Sequence, residues 1–145
     1  LTARDFIFGY TLPILPIAAA QSVVCYIAGI VLGLPVTVTI VYAVLFIIPV
    51  SLFFIALGLL CGSLLGVKQV GGICGTLLTN LTAWLSGVWF DLDLVGGIFK
   101  KIANILPFVH AVELERAVLG GNYAAIFPHL YWVFGYAIAA IALAV

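Results

Sequence analysis

The stretch DLDLVGGIFKKIANILPFVHAVELER, residues 91–116, carries seven of the chain's ten charged residues: Asp91, Asp93, Lys100, Lys101, Glu113, Glu115 and Arg116. Runs apolar enough to cross a membrane flank it on both sides. Its internal pattern is helical. After Asp93, a residue type suited to an N-cap, Leu94, Ile98, Ile102 and Ile105 form one stripe with Lys100 and Lys101 off its centre, which predicts a short amphipathic helix over 93–106. Pro107 breaks it, and a second helix is predicted over 108–119, with Gly120 and Gly121 as its stop. Both are too short to span a hydrocarbon core of roughly 30 Å. Two such helices between apolar runs describe a folded element that dips into the membrane interface. Glu113 and Arg116, three apart on the second helix, are placed to pair.

Outside this stretch the solvent is the bilayer. Hydrophobic residues make up 66% of the chain and charged residues 7%, with a mean hydropathy of +1.40, against about one-quarter charged residues in a soluble domain. The fold class expected is all-α integral membrane, with four spans over 10–34, 38–65, 70–90 and 128–145 and the two amphipathic helices between the third and fourth. Thr2 to Phe8 read as an interfacial lead-in, too polar for a cleavable signal. Pro13 and Pro16 are then expected in the first turns of the first span, Pro35 breaks the chain after it, and Pro49 gives the second span a cause to kink. Gly66 to Gly72 reads as a short turn. Phe127, Tyr131, Trp132 and Tyr136 match an interfacial aromatic belt at the last span. Without an initial methionine, and stopping inside an apolar run, the chain is expected to be part of a longer membrane protein. Four spans would put both of its ends on one side.

Two helix faces stand out. Gly58, Gly62 and Gly66 form a repeated GxxxG series that lets another helix approach closely, within this chain or at a dimer contact. Gly72, Thr76, Thr79, Asn80, Ala83 and Ser86 give the third span a small, polar face. Lipid cannot satisfy such a face, so it either packs against protein or lines a water-filled path.

Much chemistry is missing from the sequence. There is no Gly-x-x-x-x-Gly-Lys-Ser/Thr loop for nucleotide hydrolysis, so the chain is not read as an enzyme and no catalytic residue is assigned. Cys25, Cys61 and Cys74 lie in apolar runs without a CxxC spacing and read as small buried hydrophobes. His110 and His129 have no acidic or cysteine companion at metal spacing, which leaves interfacial hydrogen bonding and no metal site. Glu113 and Glu115, two apart, face different sides of a helix and serve solvation or pairing with Arg116. A net charge of zero offers no basic surface to nucleic acid. Arg4 and Lys68 on one side against Lys100, Lys101 and Arg116 on the other leave orientation undecided.

The sequence Ser86-Gly87-Val88-Trp89-Phe90, the two short helices, and then Leu106 to Gly121 with its His110-Ala111-x-Glu113-x-x-Arg116 core resemble the membrane subunit of type-2 ATP-binding cassette (ABC) transporters, the ABC-2 export-permease family. In that family the corresponding pattern is Ser-Gly-aromatic, two helices re-entering the membrane from outside, then an Asn-Pro-like turn with Tyr-Ala-x-Glu-x-x-Arg. His110 replaces the usual tyrosine, and Asp91 stands where proline is frequent. Leu1 to Tyr10 is similar to the family's cytoplasmic turn before its third span. The resemblance covers nearly the whole chain and implies the third to sixth spans of a six-span domain in the cell membrane, with both chain ends cytoplasmic and residues 91–128 external. It further implies a permease of an ATP-driven exporter, in which partner ATPase subunits bind ATP and Mg and a second permease domain completes the assembly. Gly72, Thr76, Thr79, Asn80, Ala83 and Ser86 would line the translocation pathway or the domain interface, and Pro107, His110, Glu113 and Arg116 would form the external re-entrant motif. Nothing selects among drug, lipid, peptide and glycan cargo. Two other readings remain: a membrane scaffold or assembly protein, which would recruit no ATPase, and an ion-coupled secondary transporter, which would run on a proton gradient without ATP.

Overall fold

The computed structural model describes residues 2–145; Leu1, the first residue of the stretch compared with the family's leading turn, lies outside them. Every regular element among the described residues is helical, without a strand: α1 (Ala3–Val31), α2 (Thr39–Leu64), α3 (Val67–Gly72), a π-helical stretch (Ile73–Leu78), α4 (Thr79–Leu85), α5 (Leu92–Val95), α6 (Gly97–Ile105), α7 (Pro107–Leu119) and α8 (Tyr123–Ala144). Among them, α1, α2 and α8 are long and apolar enough to cross a membrane.

The stretch expected as a third span differs from the expectation. It is helical from 67 to 85, but as an α–π–α succession rather than one regular helix. It also begins earlier, because Val67–Gly72 is helix and not turn: the Gln69 side-chain oxygen accepts from the Gly66 amide at 3.1 Å and closes the first turn. α1 likewise starts early. The Asp5 carboxylate accepts from both the amide (2.7 Å) and the hydroxyl (2.9 Å) of Thr2, so the expected lead-in is already helical. Pro13 and Pro16 therefore sit inside α1 rather than in its first turns, and each removes one amide from the helical ladder.

The core forms where α2 packs on α1, α7 and α8, and α7 on α8. Phe53 of α2, Leu114 and Val118 of α7 and Val133 of α8 are its largest fully buried side chains. Phe108 lies edge-on to Phe53, with ring centres 6.1 Å apart, while Ala43, Ala137 and Ala140 are small enough for close helix approach. The most charged part of the sequence thus lies partly inside the core.

The first amphipathic helix is divided. Gly96 and Gly97, both at φ +59, separate α5 from α6. Its cap is Asp91 and not Asp93: Asp91 Oδ1 accepts from the Asp93 amide at 2.9 Å. Leu94 (85% exposed), Ile98 (77%), Ile102 and Ile105 turn outward, away from the core. Pro107 opens α7 as its first residue, where a missing N–H costs least. Gly121, at φ +70, donates to the Val118 carbonyl and Asn122 to that of Ala117, closing the helix as the two glycines predict.

Leu114→Ala should lower unfolding stability in detergent by about 2–5 kcal/mol. Leu94→Ala, at an outward site, should leave it within about 0.5 kcal/mol. Equal losses from the two would contradict the placement of α7 in the core.

Candidate functional site

α4 ends at Ser86, which is 3% exposed and donates from Oγ to the Ala83 carbonyl at 3.1 Å. Gly87 then turns the chain at φ +71, a conformation favouring glycine, and a Cβ there would press on Leu92 at 3.3 Å. The Gly87 carbonyl accepts from Arg116 Nη2 at 3.2 Å, and Arg116 Nη1 donates to Glu113 Oε1 at 2.8 Å. One guanidinium thus ties the Ser-Gly segment to the Glu-x-x-Arg segment, although Gly87 and Arg116 are 29 positions apart. The two face a polar basin of about 640 Å³, also lined by Asp91, Asp93, Lys100 and Asn104. Lys100 pairs with Asp93, whose carboxylate holds the ammonium above its usual pKa.

The other side chains of α7 reach different neighbours. Glu115 is neither solvated nor paired with Arg116: its Oε2 accepts from the Tyr26 hydroxyl of α1 at 3.2 Å, while Oε1 is buried without a partner. Burial pushes this carboxyl up to about 7, against a smaller opposing effect of the Tyr26 hydrogen bond. His110 and His129 meet, with their Nδ1 atoms 2.8 Å apart. His110 Nε2 lies 2.9 Å from the Asn104 carbonyl, and Trp132 stacks on the ring at 4.8 Å and 13°. Beside them Tyr136 donates to the Ile105 carbonyl at 2.7 Å. Of the motif residues, Pro107 is buried at the start of α7, Glu113 and Arg116 share one hydrogen-bond system, and His110 belongs to another. No spacing rule signals the Tyr26–Glu115 or His110–His129 contacts, which depend on how distant helices pack.

The small, polar face is divided too. Gly72, Thr76, Thr79 and Asn80 are exposed, Ala83 is half-buried and Ser86 is buried at the basin. Thr79 Oγ1 donates to the Cys74 carbonyl at 3.0 Å and Asn80 Nδ2 to that of Thr76 at 2.8 Å, so both satisfy themselves on their own helix. A cleft of about 1270 Å³ lies between α1 and α2, lined mainly by apolar side chains together with Gln21, Ser51, Gly58 and Gly62. A Cβ at Gly58 or Gly62 would meet no atom within 4 Å, and one at Gly66 only the Gln69 side chain at 3.6 Å. Among the described residues Cys25, Cys61 and Cys74 are free, Cys25 is exposed rather than buried, and no cluster of three or more metal-ligating side chains occurs.

Long apolar helices joined through a compact, charged helical element define a transmembrane protein, with polar junctions but no assembled nucleophile, base or metal set among the described residues. Residues 1–119 match the family model described as ABC-2 type transporter, and the chain belongs to that family. It is accordingly a membrane permease domain of a transporter. The match reaches from α1 to the end of α7 and includes the whole Arg116 junction. No curated protein and no solved structure matches the chain.

Arg116→Lys should fail to hold Gly87 and Glu113 together, because a single ammonium lacks the planar fork. Transport should fall at least about tenfold, on the scale of about 1.4 kcal/mol or more for a charge-assisted bond, and retention of full transport in vesicles would refute the junction's importance. For Glu115 the folded state holds a proton more tightly than the unfolded state, about 7 against 4.5. Its stabilising contribution is therefore full below 4.5 and is lost as pH rises through about 7. Melting curves from pH 4.5 to 8 should show that decline, and Glu115→Gln should remove it.

Proposed function

We propose that this chain forms the substrate path of an ATP-driven exporter in the cell membrane. Two such domains associate, separate ATPase subunits bind ATP and Mg on the cytoplasmic side, and nucleotide binding shifts the pair between states open to opposite sides. The chain contributes passage and coupling rather than hydrolysis. In this reading α5, α6 and α7 lie outside and close the exit, and the exposed Gly72, Thr76, Thr79 and Asn80 surface meets either the path or the second domain.

The observation that carries this reading is membership of the ABC-2 type transporter family over residues 1–119. Two features support it further. α1 has no buried residue along its 29-residue length although it packs on α2, so much of its surface is left for lipid or another domain. Thr79 and Asn80 are exposed, each with one donor already bonded to its own backbone, which suits a surface that meets changing partners.

The test is reconstitution of the intact protein. A P-loop ATPase should co-purify, its hydrolysis should change on assembly, and transport should stop when ATP is removed while a proton gradient remains. Transport that survives ATP removal supports an ion-coupled carrier instead, and failure ever to recruit an ATPase supports a scaffold. Thr76→Trp with Asn80→Trp should cut transport by more than about tenfold, the scale expected when a bulky group misplaces a working surface. For sidedness, a single cysteine at Lys101 should react with an impermeant reagent in intact cells; labelling only after lysis contradicts an external α6.

A further inference from the structure

The corner where α6, α7 and α8 meet holds two imidazoles whose proton positions follow from their partners. The Asn104 carbonyl can only accept, so His110 Nε2 carries a hydrogen. In the neutral ring His110 Nδ1 is then an acceptor, and the atom 2.8 Å away, His129 Nδ1, is the donor. The remaining basic nitrogen of the pair is His129 Nε2. One added proton there leaves every hydrogen bond in place and makes the link between rings charge-assisted. A second must go to His110 Nδ1, which sets two N–H donors and two positive charges against each other at 2.8 Å.

The surroundings give little to offset a second charge. From α7 the acidic group nearest the pair is Glu113, and its carboxylate is engaged by Arg116. From α6 the Asn104 carbonyl bonds His110, and of its two lysines Lys100 is tied to Asp93 while Lys101 is exposed and adds no negative charge. α8 contributes Trp132, stacked on His110, and Tyr136, which is occupied by the Ile105 carbonyl. These contacts tie the start of α7 to α6 and α8 in addition to the apolar packing of Pro107, Phe108, Val109 and Ala111. We propose that the His110–His129 pair is an acid-sensitive clasp: it holds α6, α7 and α8 together while it carries no more than one added proton, and it releases the corner when it carries two.

Trp132 is a built-in reporter, because an imidazolium stacked on an indole quenches its fluorescence. With Trp84→Phe and Trp89→Phe it becomes the chain's sole tryptophan. A Glu115→Gln background removes a carboxyl that titrates in this range with an effect of opposite sign. In the intact protein in lipid nanodiscs, Trp132 emission should change in two steps at least about one pH unit apart between pH 8 and 4.5. Hydrogen exchange across residues 107–132, corrected for its intrinsic pH dependence, should rise about tenfold or more in the lower step alone. His129→Asn should leave a single step and no exchange rise. His110→Tyr keeps an aromatic ring whose hydroxyl titrates near 10 and should abolish both responses. A single step in the parent protein that coincides with that of His129→Asn would overturn the clasp, as would exchange that stays flat or rises equally in His110→Tyr.

Discussion

The seating of α7 against α2 and α8 fixes the rest of the molecule. Leu114 and Val118 are fully buried there, yet the same helix carries Glu113, Glu115, Arg116 and His110. Successive residues on a helix point about 100° apart, so Glu113, Leu114, Glu115 and Arg116 face four directions. Only one rotation places Leu114 in the core, Arg116 on the Gly87 carbonyl and Glu115 on the Tyr26 hydroxyl together. A rotation that kept the apolar contact but lost a polar one would leave a buried charged or polar group unpartnered, costing about 1–3 kcal/mol or more. The charges therefore set the orientation of a helix whose burial is driven by its apolar residues.

That arrangement explains why the flanking helices are short and capped so closely. The turn at Gly87 after α4 leaves a backbone carbonyl outside the helical ladder at a buried position, and Arg116 satisfies it. At the far end of α7, Gly121 supplies the left-handed residue that lets the last turn close on itself. Between the two, α5 and α6 bury little beyond Leu92 and Ala103 and turn Leu94, Ile98, Ile102 and Ile105 outward. Their stripe is amphipathic in a sense opposite to that of a soluble protein, since the apolar side faces the surroundings. Such a face is stable only against lipid or another apolar surface.

Local signals in the sequence are followed closely by the structure, because they act through nearby backbone. Pro107 opens a helix, Gly120 and Gly121 end it, and the Glu113–Arg116 pair forms at its three-residue spacing. The choice between Asp91 and Asp93 as cap rests on backbone geometry: Asp91 is extended and Asp93 already helical, which composition cannot distinguish. Periodicity also assumed a uniform α-helix over 70–90. The π-helical stretch shifts the register partway along, so Ser86 is separated from the face that begins at Gly72. Glu115 and the two histidines were the least legible. Their partners come from α1 and α8, and nothing in the spacing of a charged helix says which distant hydroxyl or imidazole will be packed against it.

The π-helical stretch also bears on how a polar helix can lie exposed in an apolar setting. Side chains in and after the widened stretch reach back to its carbonyls. Thr79 takes the carbonyl of Cys74, five residues back, and Asn80 takes that of Thr76. Each bond offsets two desolvation penalties at once, that of the side-chain donor and that of the carbonyl. On this surface Thr79 and Asn80 each place one donor on their own backbone. The Asn80 bond, four residues back, is of the kind Ser22 makes to Ala18 in the regular helix α1, whereas the five-residue reach of Thr79 matches the widened turn. Back-bonding, with the widened turn extending its reach at Thr79, therefore lets part of this polar segment draw its partners from its own backbone.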